Sequence, residues 1–358
     1  MDCFAEVEDP RKHEGEHDLT EMLFIALLAT LAGAKYCTDI ALFGREKEQL
    51  LRAIMPLEGG IPSHDTFSRL FRMLDPKSFE RAFRRFTKAF AETVRITGVV
   101  ALDGKALRRA YESGKSHMPP VMVTAWSAKT RLALANVLAP GNNEAAGALE
   151  LIELLQLKGC VVTADALHCR RDTAQAIVER DGDYVLAVKD NQPGLLADAK
   201  AAITQAERKQ AKETTTTDAD HGRKEIRTAI VAPAGDMASK HAFPGLLAVA
   251  KIRSKRGRDK TVERFFLLTR MYKPAALLDI VRQHWTIENP LHWTLDVVLD
   301  EDQARSRKDC APENLAVLRR LALNIARAHP DKKTSTRAKL QRAAWSDKFL
   351  LNMLTNVR

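Results

Sequence analysis

The sequence predicts a mixed α/β protein, with a helical domain before the sheet and a small β-rich insertion late within it. Three observations predict this. Val99-Val100-Ala101-Leu102 runs into Asp103-Gly104-Lys105, and Val161-Val162-Thr163-Ala164 runs into Asp165-Ala166. Short apolar runs of this kind are the pattern of strands buried inside an α/β sheet. Residues 1–92 instead repeat their apolar positions with helical spacing, while Glu225–Ala232, Leu246–Arg253 and Val262–Thr269 alternate in strand fashion.

Composition narrows the class. The 358 residues suffice for two domains, or for one large domain with insertions. With 45% hydrophobic and 28% charged residues, the chain is that of an ordered soluble protein. A formal charge of +10 and a pI near 9.4 favour an acidic partner, nucleic acid foremost. Cys3, Cys37, Cys160, Cys169 and Cys310 are odd in number and lack zinc-site spacing, which predicts reduced thiols in a cytoplasmic compartment. Asp2, Glu6 and Glu8 follow Met1 closely, unlike a signal peptide, and the apolar stretch Leu23–Ala34 is too short to span a bilayer, so no membrane partner is expected.

The N-terminal region, residues 1–92, reads as successive helices. Leu19–Ala34 is a buried helix with Thr20 as its expected N-cap. Shorter segments follow at Ile40–Phe43 and Leu50–Met55. Gly59-Gly60-Ile61-Pro62 marks a loop, after which Ser63 or Asp65 caps a helix holding Phe67, Leu70 and Phe71. From Phe79 to Val94, Phe79, Phe83, Phe86 and Phe90 recur at helical spacing, and Arg81, Arg84, Arg85 and Lys88 lie between them. One face packs; the other is either a solvated surface or an anchor for DNA phosphates.

The sheet region, residues 93–212, begins with the Asp103 strand, beside which Lys105, Arg108 and Arg109 add positive charge. Strands at Val121–Ala125 and Leu132–Leu138, a helix at Ala145–Leu157, the Asp165 strand, a helix at Asp172–Glu179 and a strand at Tyr184–Lys189 complete the pattern. Thr214–Thr217 reads as a linker into the insertion, residues 213–263. The stretch Lys251–Lys260 carries six basic residues, among them Arg253, Lys255, Arg256 and Arg258, and reads as a phosphate-binding loop. In residues 264–330, Pro274 opens a helical region, broken at Pro290, that runs to about Leu299 and holds Arg282, Trp285 and Glu288. Glu288 stands among large hydrophobes, so it must be exposed, paired or on a metal. The basic tail 331–358 includes Trp345, Phe349, Leu350 and Met353, which predict that it folds back.

Asp103, Asp165 and Glu288 are the candidate catalytic and metal-ligating residues. Three acids without cysteine or histidine partners suit hard divalent ions, magnesium above all with manganese as a substitute, and two-metal phosphodiester chemistry. Any α/β enzyme with acidic strand ends shows the same pattern.

Several segments together resemble the DDE transposases of bacterial insertion sequences, in the H-repeat-associated (ISAs-type) branch. Asp9-Pro10-Arg11, Pro62-Ser63-His64-Asp65-Thr66-Phe67 and Leu74-Asp75-Pro76 resemble its N-terminal associated domain. Ala101-Leu102-Asp103-Gly104-Lys105 resembles the first catalytic segment. Thr163-Ala164-Asp165-Ala166 and Asp183–Pro193, which includes Lys189 and Asn191, resemble the second. His221-Gly222-Arg223 resembles a basic segment before the insertion strands, and His284–Trp293 resembles the third catalytic segment around Glu288. The resemblance covers nearly the whole chain. It implies a ribonuclease-H-like core, a DDE triad of Asp103, Asp165 and Glu288, and double-stranded DNA partners, namely terminal inverted repeats and target DNA; because one chain supplies one set of these acids and two ends must be cut, a homodimer on paired ends is expected. The departures are His284 four residues before Glu288 and Leu295 seven after, where the wider superfamily carries tyrosine and lysine. Leu167-His168-Cys169 likewise stands where this branch commonly has glycine.

Three other functions compete: a nuclease that cuts without joining, a DNA-binding remnant without activity, and a magnesium phosphatase acting on small substrates. The two basic regions and the lack of a nucleotide-binding glycine loop count against the phosphatase.

Overall fold

The computed structural model describes residues 4–12, 15–92, 97–110, 118–220, 223–257 and 259–355. His221, Gly222 and Arg258 lie outside the described residues, as do the side chains of Phe90 and Arg223.

Five helices open the chain. In α1 (Leu19–Leu31) the N-cap is Asp18 rather than Thr20: its carboxylate accepts from the Glu21 N–H at 2.9 Å. Nearly every α1 side chain is apolar and nearly every one is buried. Gly33, at φ +95°, turns the chain away where a side chain would be strained. Next come α2 (Cys37–Glu46) and α3 (Glu48–Arg52), then α4 (His64–Met73), capped by Ser63, whose hydroxyl accepts from the Thr66 N–H at 3.1 Å. The last, α5 (Pro76–Glu92), starts three residues before Phe79 because proline suits the first helical turn.

The sheet begins as an antiparallel meander of β1 (Gly98–Ala106), β2 (Val121–Ser127) and β3 (Leu132–Leu138). Helix α6 (Glu144–Glu153) crosses to β4 (Cys160–Ala164), which lies parallel to β1. Helix α7 (Arg171–Val178) leads to β5 (Asp183–Val188), parallel to β4, and α8 (Pro193–Arg208) follows. Beyond it lie β6 (Thr214–Asp220), β7 (Arg223–Pro233), α9 (Met237–Lys240), β8 (Ala248–Arg256) and β9 (Val262–Leu268). The nine strands among the described residues form one sheet in the order β3-β2-β1-β4-β5-β9-β8-β7-β6. Its first five strands have the ribonuclease-H-like arrangement.

Two local expectations change. Thr214–Thr217 is a strand, not a linker: β6 pairs along β7, and the hydroxyls of Thr215 and Thr228 meet at 3.0 Å. Most of Lys251–Lys260 is likewise strand β8 rather than loop. Strand alternation then separates its cations, with Lys251, Arg253 and Lys255 on one face and Arg256 on the other.

Helix α10 (Pro274–His284) ends before Glu288, and the next turn, Ile287–His292, is π-helical with Pro290 inside it. After α11 (Trp293–Val297) comes α12 (Ala311–Ala328), then α13 (Thr336–Trp345) and α14 (Asp347–Thr355). Helix α12 packs against α1, α4 and α5 on one side and β3 on another, so the N-terminal helices share one core with the C-terminal ones. Phe349, Leu350 and Met353 enter that core, so the tail folds back as expected, but Trp345 is 79% exposed. In α13 it is Leu340 and Ala343 that turn inward.

Candidate active site

Asp103 stands near the end of β1, Asp165 one residue past β4, and Glu288 in the π-helical turn. Because β1 and β4 are neighbouring parallel strands, the two aspartates leave the same edge of the sheet. Asp103 Oδ1 accepts from the Gly104 N–H at 3.0 Å, and Asp165 Oδ1 accepts from the Leu167 N–H at 2.9 Å. Asp165 and Glu288 line one cavity of about 160 Å³ together with Thr163, Lys189, Arg264 and Trp285.

The electrostatics join the three acids. Burial, then the negative charges of Glu288, Glu144 and Asp165, push Asp103 up to about 7. Glu288 is raised by burial, with Arg264 opposing and Asp165 adding to the rise. His284 Nδ1 lies 3.0 Å from the Thr163 hydroxyl, and burial holds this imidazole down at about 4. His292 Nδ1 lies 3.6 Å from Asp103 Oδ2, and burial followed by the charges of Arg320 and Lys105 holds it at about 3. Both imidazoles are therefore neutral near pH 7 and add no positive charge beside the carboxylates. Among the described residues no group of three or more His, Cys, Asp or Glu side chains is arranged to hold a metal ion.

The expected DNA-contacting residues fall into separate environments. Lys189, Arg256, Arg282 and Trp285 line the cavity above or a neighbouring one of about 370 Å³ that shares Arg264, Phe266, Val281 and Trp285 with it. Within this group Arg282 pairs with Asp218 at 2.8 Å and Arg256 with Glu225 at 3.4 Å. Lys255 is exposed, and Arg253 pairs with Glu213 on the other face of β8. Asn191 donates to the Ala166 carbonyl at 2.7 Å, which ties the loop after β5 to the loop holding Asp165. Arg108 and Arg109 are exposed, Arg108 pairing with Asp302 at 3.2 Å. On α5, Arg81 is exposed, Arg84 pairs with Glu80 at 2.6 Å and Arg85 with Glu6.

Lys105 is a correction. It is 7% exposed, and its Nζ lies 2.6 Å from Asp296 and 2.7 Å from Asp302. Its charge is spent inside the protein, fastening β1 to the segment after Glu288. Trp293 departs in the other direction from the burial usual for tryptophan, being 57% exposed.

Three residues near the acids were not singled out from the sequence as site residues. Arg264 sits in β9 with its guanidinium 5.4 Å from the Trp285 ring centroid. Glu144, at the start of α6, acts on Asp103, and His168 is fully buried against Glu144 at 3.0 Å. An arginine in an alternating strand and a glutamate in a first helical turn are ordinary for their positions, so neither gave a signal.

Residues 93–325 match the family described as Transposase DDE domain, and residues 1–87 match the one described as DDE_Tnp_1-associated. The chain is 30% identical to a protein named "Putative transposase YncI" from Escherichia coli O157:H7, with 99% of this chain and 94% of that one covered. It is 29% identical to "H repeat-associated putative transposase YhhI" from Escherichia coli strain K12, with 95% and 93% covered. A cryo-EM structure of a piggyBac transposase synaptic complex with hairpin DNA aligns with 99% of this chain and 77% of its own, at TM-score 0.45 and 13% identity. The two strand-end aspartates and the glutamate of the π-helical turn all fall within the matched DDE domain, and the chain belongs to the DDE transposases.

Proposed function

We propose that this transposase binds the ends of a DNA element, cuts them, and joins them to target DNA through Asp103, Asp165 and Glu288. The observation that carries this is positional: Asp103 and Asp165 leave one edge of the sheet on neighbouring parallel strands, Asp165 and Glu288 line one cavity, and the half-buried Asp103 carboxyl meets the like charges of Glu288, Glu144 and Asp165. Such repulsion is what a bound cation offsets. The donor set is all oxygen and fits magnesium, with manganese as a substitute. When bound, the metal supplies Lewis-acid stabilisation of the scissile phosphate.

The protein's own groups do the rest. Asp103, Asp165 and Glu288 would hold the ions. Lys189 and Arg264 present positive charge beside the acids, where DNA phosphates pass. Trp285 offers a ring face at the junction of the two cavities, suited to stacking on a base beside the cut. Arg256 and Arg282 extend the phosphate path along the larger cavity.

The test uses labelled DNA carrying an element end, with magnesium. Asp103→Asn removes the charge but keeps the shape; it is expected to abolish cleavage while leaving end binding within about twofold, since phosphate contacts carry most of the affinity. Undiminished cleavage by Asp103→Asn would remove this residue from the chemistry. A pre-cut end that is joined to a second duplex separates the transposase from a nuclease that only cuts.

A further inference from the structure

Glu144 and His168 form a pair that none of the proposed chemistry uses. Gly104 lies between Asp103 and Lys105 on β1, so its missing side chain would point to the opposite face from theirs. On that face sits Glu144: a Cβ placed on Gly104 would lie 2.3 Å from the Glu144 carboxyl carbon and 2.5 and 2.7 Å from its oxygens. Gly104 has no positive φ, so it is the packing of this carboxylate, not the backbone conformation, that excludes a side chain. The same glycine donates its N–H to Asp103 Oδ1. A carboxylate thus rests on one side of the Gly104 backbone while Asp103 is bonded to that backbone's N–H.

Glu144 is held there. Its Oε1 lies 3.0 Å from His168 Nε2, and His168 is 0% exposed with no hydrogen-bond partner at Nδ1 among the described residues. Asn143 caps α6 by accepting from the Ala146 N–H at 3.1 Å, which fixes the backbone from which Glu144 projects. A fully buried histidine spent on one carboxylate is costly unless that carboxylate must be aimed. Among the described residues Glu144 has no lysine or arginine ion pair.

We propose that Glu144, oriented by His168, is a positioning residue for the metal site: it acts through the Gly104 backbone on Asp103 and supplies negative charge that strengthens the hold on a divalent cation. The inference rests on the assignment of Asp103 as a metal-bearing acid. It explains why the position after Asp103 is glycine, since any side chain there displaces Glu144.

The experiment is calorimetric titration of the full-length, DNA-free protein with Mn²⁺, with thermal melts in EDTA to report folding. Glu144→Gln keeps the size of the side chain and a hydrogen bond to His168 but loses the charge. It is expected to weaken Mn²⁺ binding by about 10-fold or more, as loss of an outer partner of a metal site does. Gly104→Ala, which evicts the carboxylate without touching it chemically, is expected to do the same. The double variant Gly104→Ala/Glu144→Ala should bind no more weakly than Glu144→Ala, because the methyl then has nothing left to displace. Mn²⁺ affinity of Glu144→Gln and Gly104→Ala within twofold of wild type, with Asp103→Asn much weaker, overturns this inference and leaves the metal assignment standing. Equal Mn²⁺ binding by wild type and Asp103→Asn overturns both. If Glu144→Gln only lowers the melting temperature and binds Mn²⁺ normally, the pair is structural and the inference fails.

Discussion

Asp103 and Lys105 lie two apart on β1, so they share a face and both meet the segment that follows Glu288. Their surroundings nevertheless diverge: Lys105 finds Asp296 and Asp302, while Asp103 has the Gly104 N–H, the like charges of neighbouring carboxylates and a neutral imidazole. This separates two classes of basic residue by experiment. Lys105→Met should lower the melting temperature and impair cleavage, since breaking a buried ion pair costs about 3–5 kcal/mol. It should leave the salt dependence of DNA binding unchanged. Lys189→Ala, exposed at the cavity, should leave stability alone and reduce the slope of log affinity against log salt by about 1. A reduced slope for Lys105→Met would put that lysine back on the DNA. Trp285→Ala is expected to melt close to wild type, because its ring is only half-buried, yet to process ends poorly; loss of soluble protein would make Trp285 a packing residue instead. The places of Asp103 and Asp165 at strand ends were legible because each ends an apolar run. The fate of Lys105 was not, because a lysine beside a strand-end aspartate reads the same whether its partner is a phosphate or a distant Asp302.

At the scale of elements, boundaries followed local chemistry and functions followed partners. The strand Leu132–Leu138 is found as predicted, since its apolar run is bounded by turn residues. The Thr214–Thr217 run lacks the apolar alternation of a half-buried strand and is held as one by pairing with β7, a partner invisible in a local window. Pro290 promised a broken helix; the structure contains instead a widened π-helical turn, which tolerates the missing N–H and carries Glu288 on its first turn. The junction between α5, α12 and β3 was illegible for a related reason. Glu80 on α5 is buried, accepts from Arg84 at 2.6 Å and from the Asn136 N–H at 3.3 Å, and is still pushed up to about 7, chiefly by burial. Glu313 on α12 rises to about 7 for the same reason, helped by the charges of Asp75, Glu80 and Glu150. Both groups therefore hold a proton in the folded protein that the unfolded chain gives up. The stability they add is full below about pH 4.5 and is lost as pH rises toward 7. Melting temperature in EDTA should accordingly fall between pH 5 and pH 8, and Glu80→Gln, which cannot ionise, should flatten that fall. An identical pH profile for Glu80→Gln would show that Glu80 is ionised throughout.

Across the whole molecule, the basic regions stand in opposite halves of the sheet. Helix α5 packs on β3, the first strand in the order, whereas Arg253, Lys255 and Arg256 lie on β8, six strand spacings away, or about 29 Å. The acids sit between them, at the ends of β1 and β4. A duplex that enters the acids along the larger cavity therefore leaves α5 free for a second stretch of DNA. The N-terminal helices cannot be removed to test this, because α1, α4 and α5 share their core with α12, and deletion would expose it. Assembly can be tested directly. One chain carries one set of Asp103, Asp165 and Glu288, and coordinated cutting of two ends needs two sets. With a formal charge of +10, free subunits repel one another, and DNA offsets that repulsion. The working unit is therefore expected to be a dimer on paired ends, whatever the state of the free protein, with each subunit's distal basic edge on the DNA that its partner cuts. Purified protein, magnesium and labelled end DNA should give a complex whose mass corresponds to two chains and two ends, with cleavage confined to that species. Mixing wild type with Asp103→Asn chains should give complexes in which only one of the two ends is cut. A fully active complex of one chain on one end would defeat the dimer.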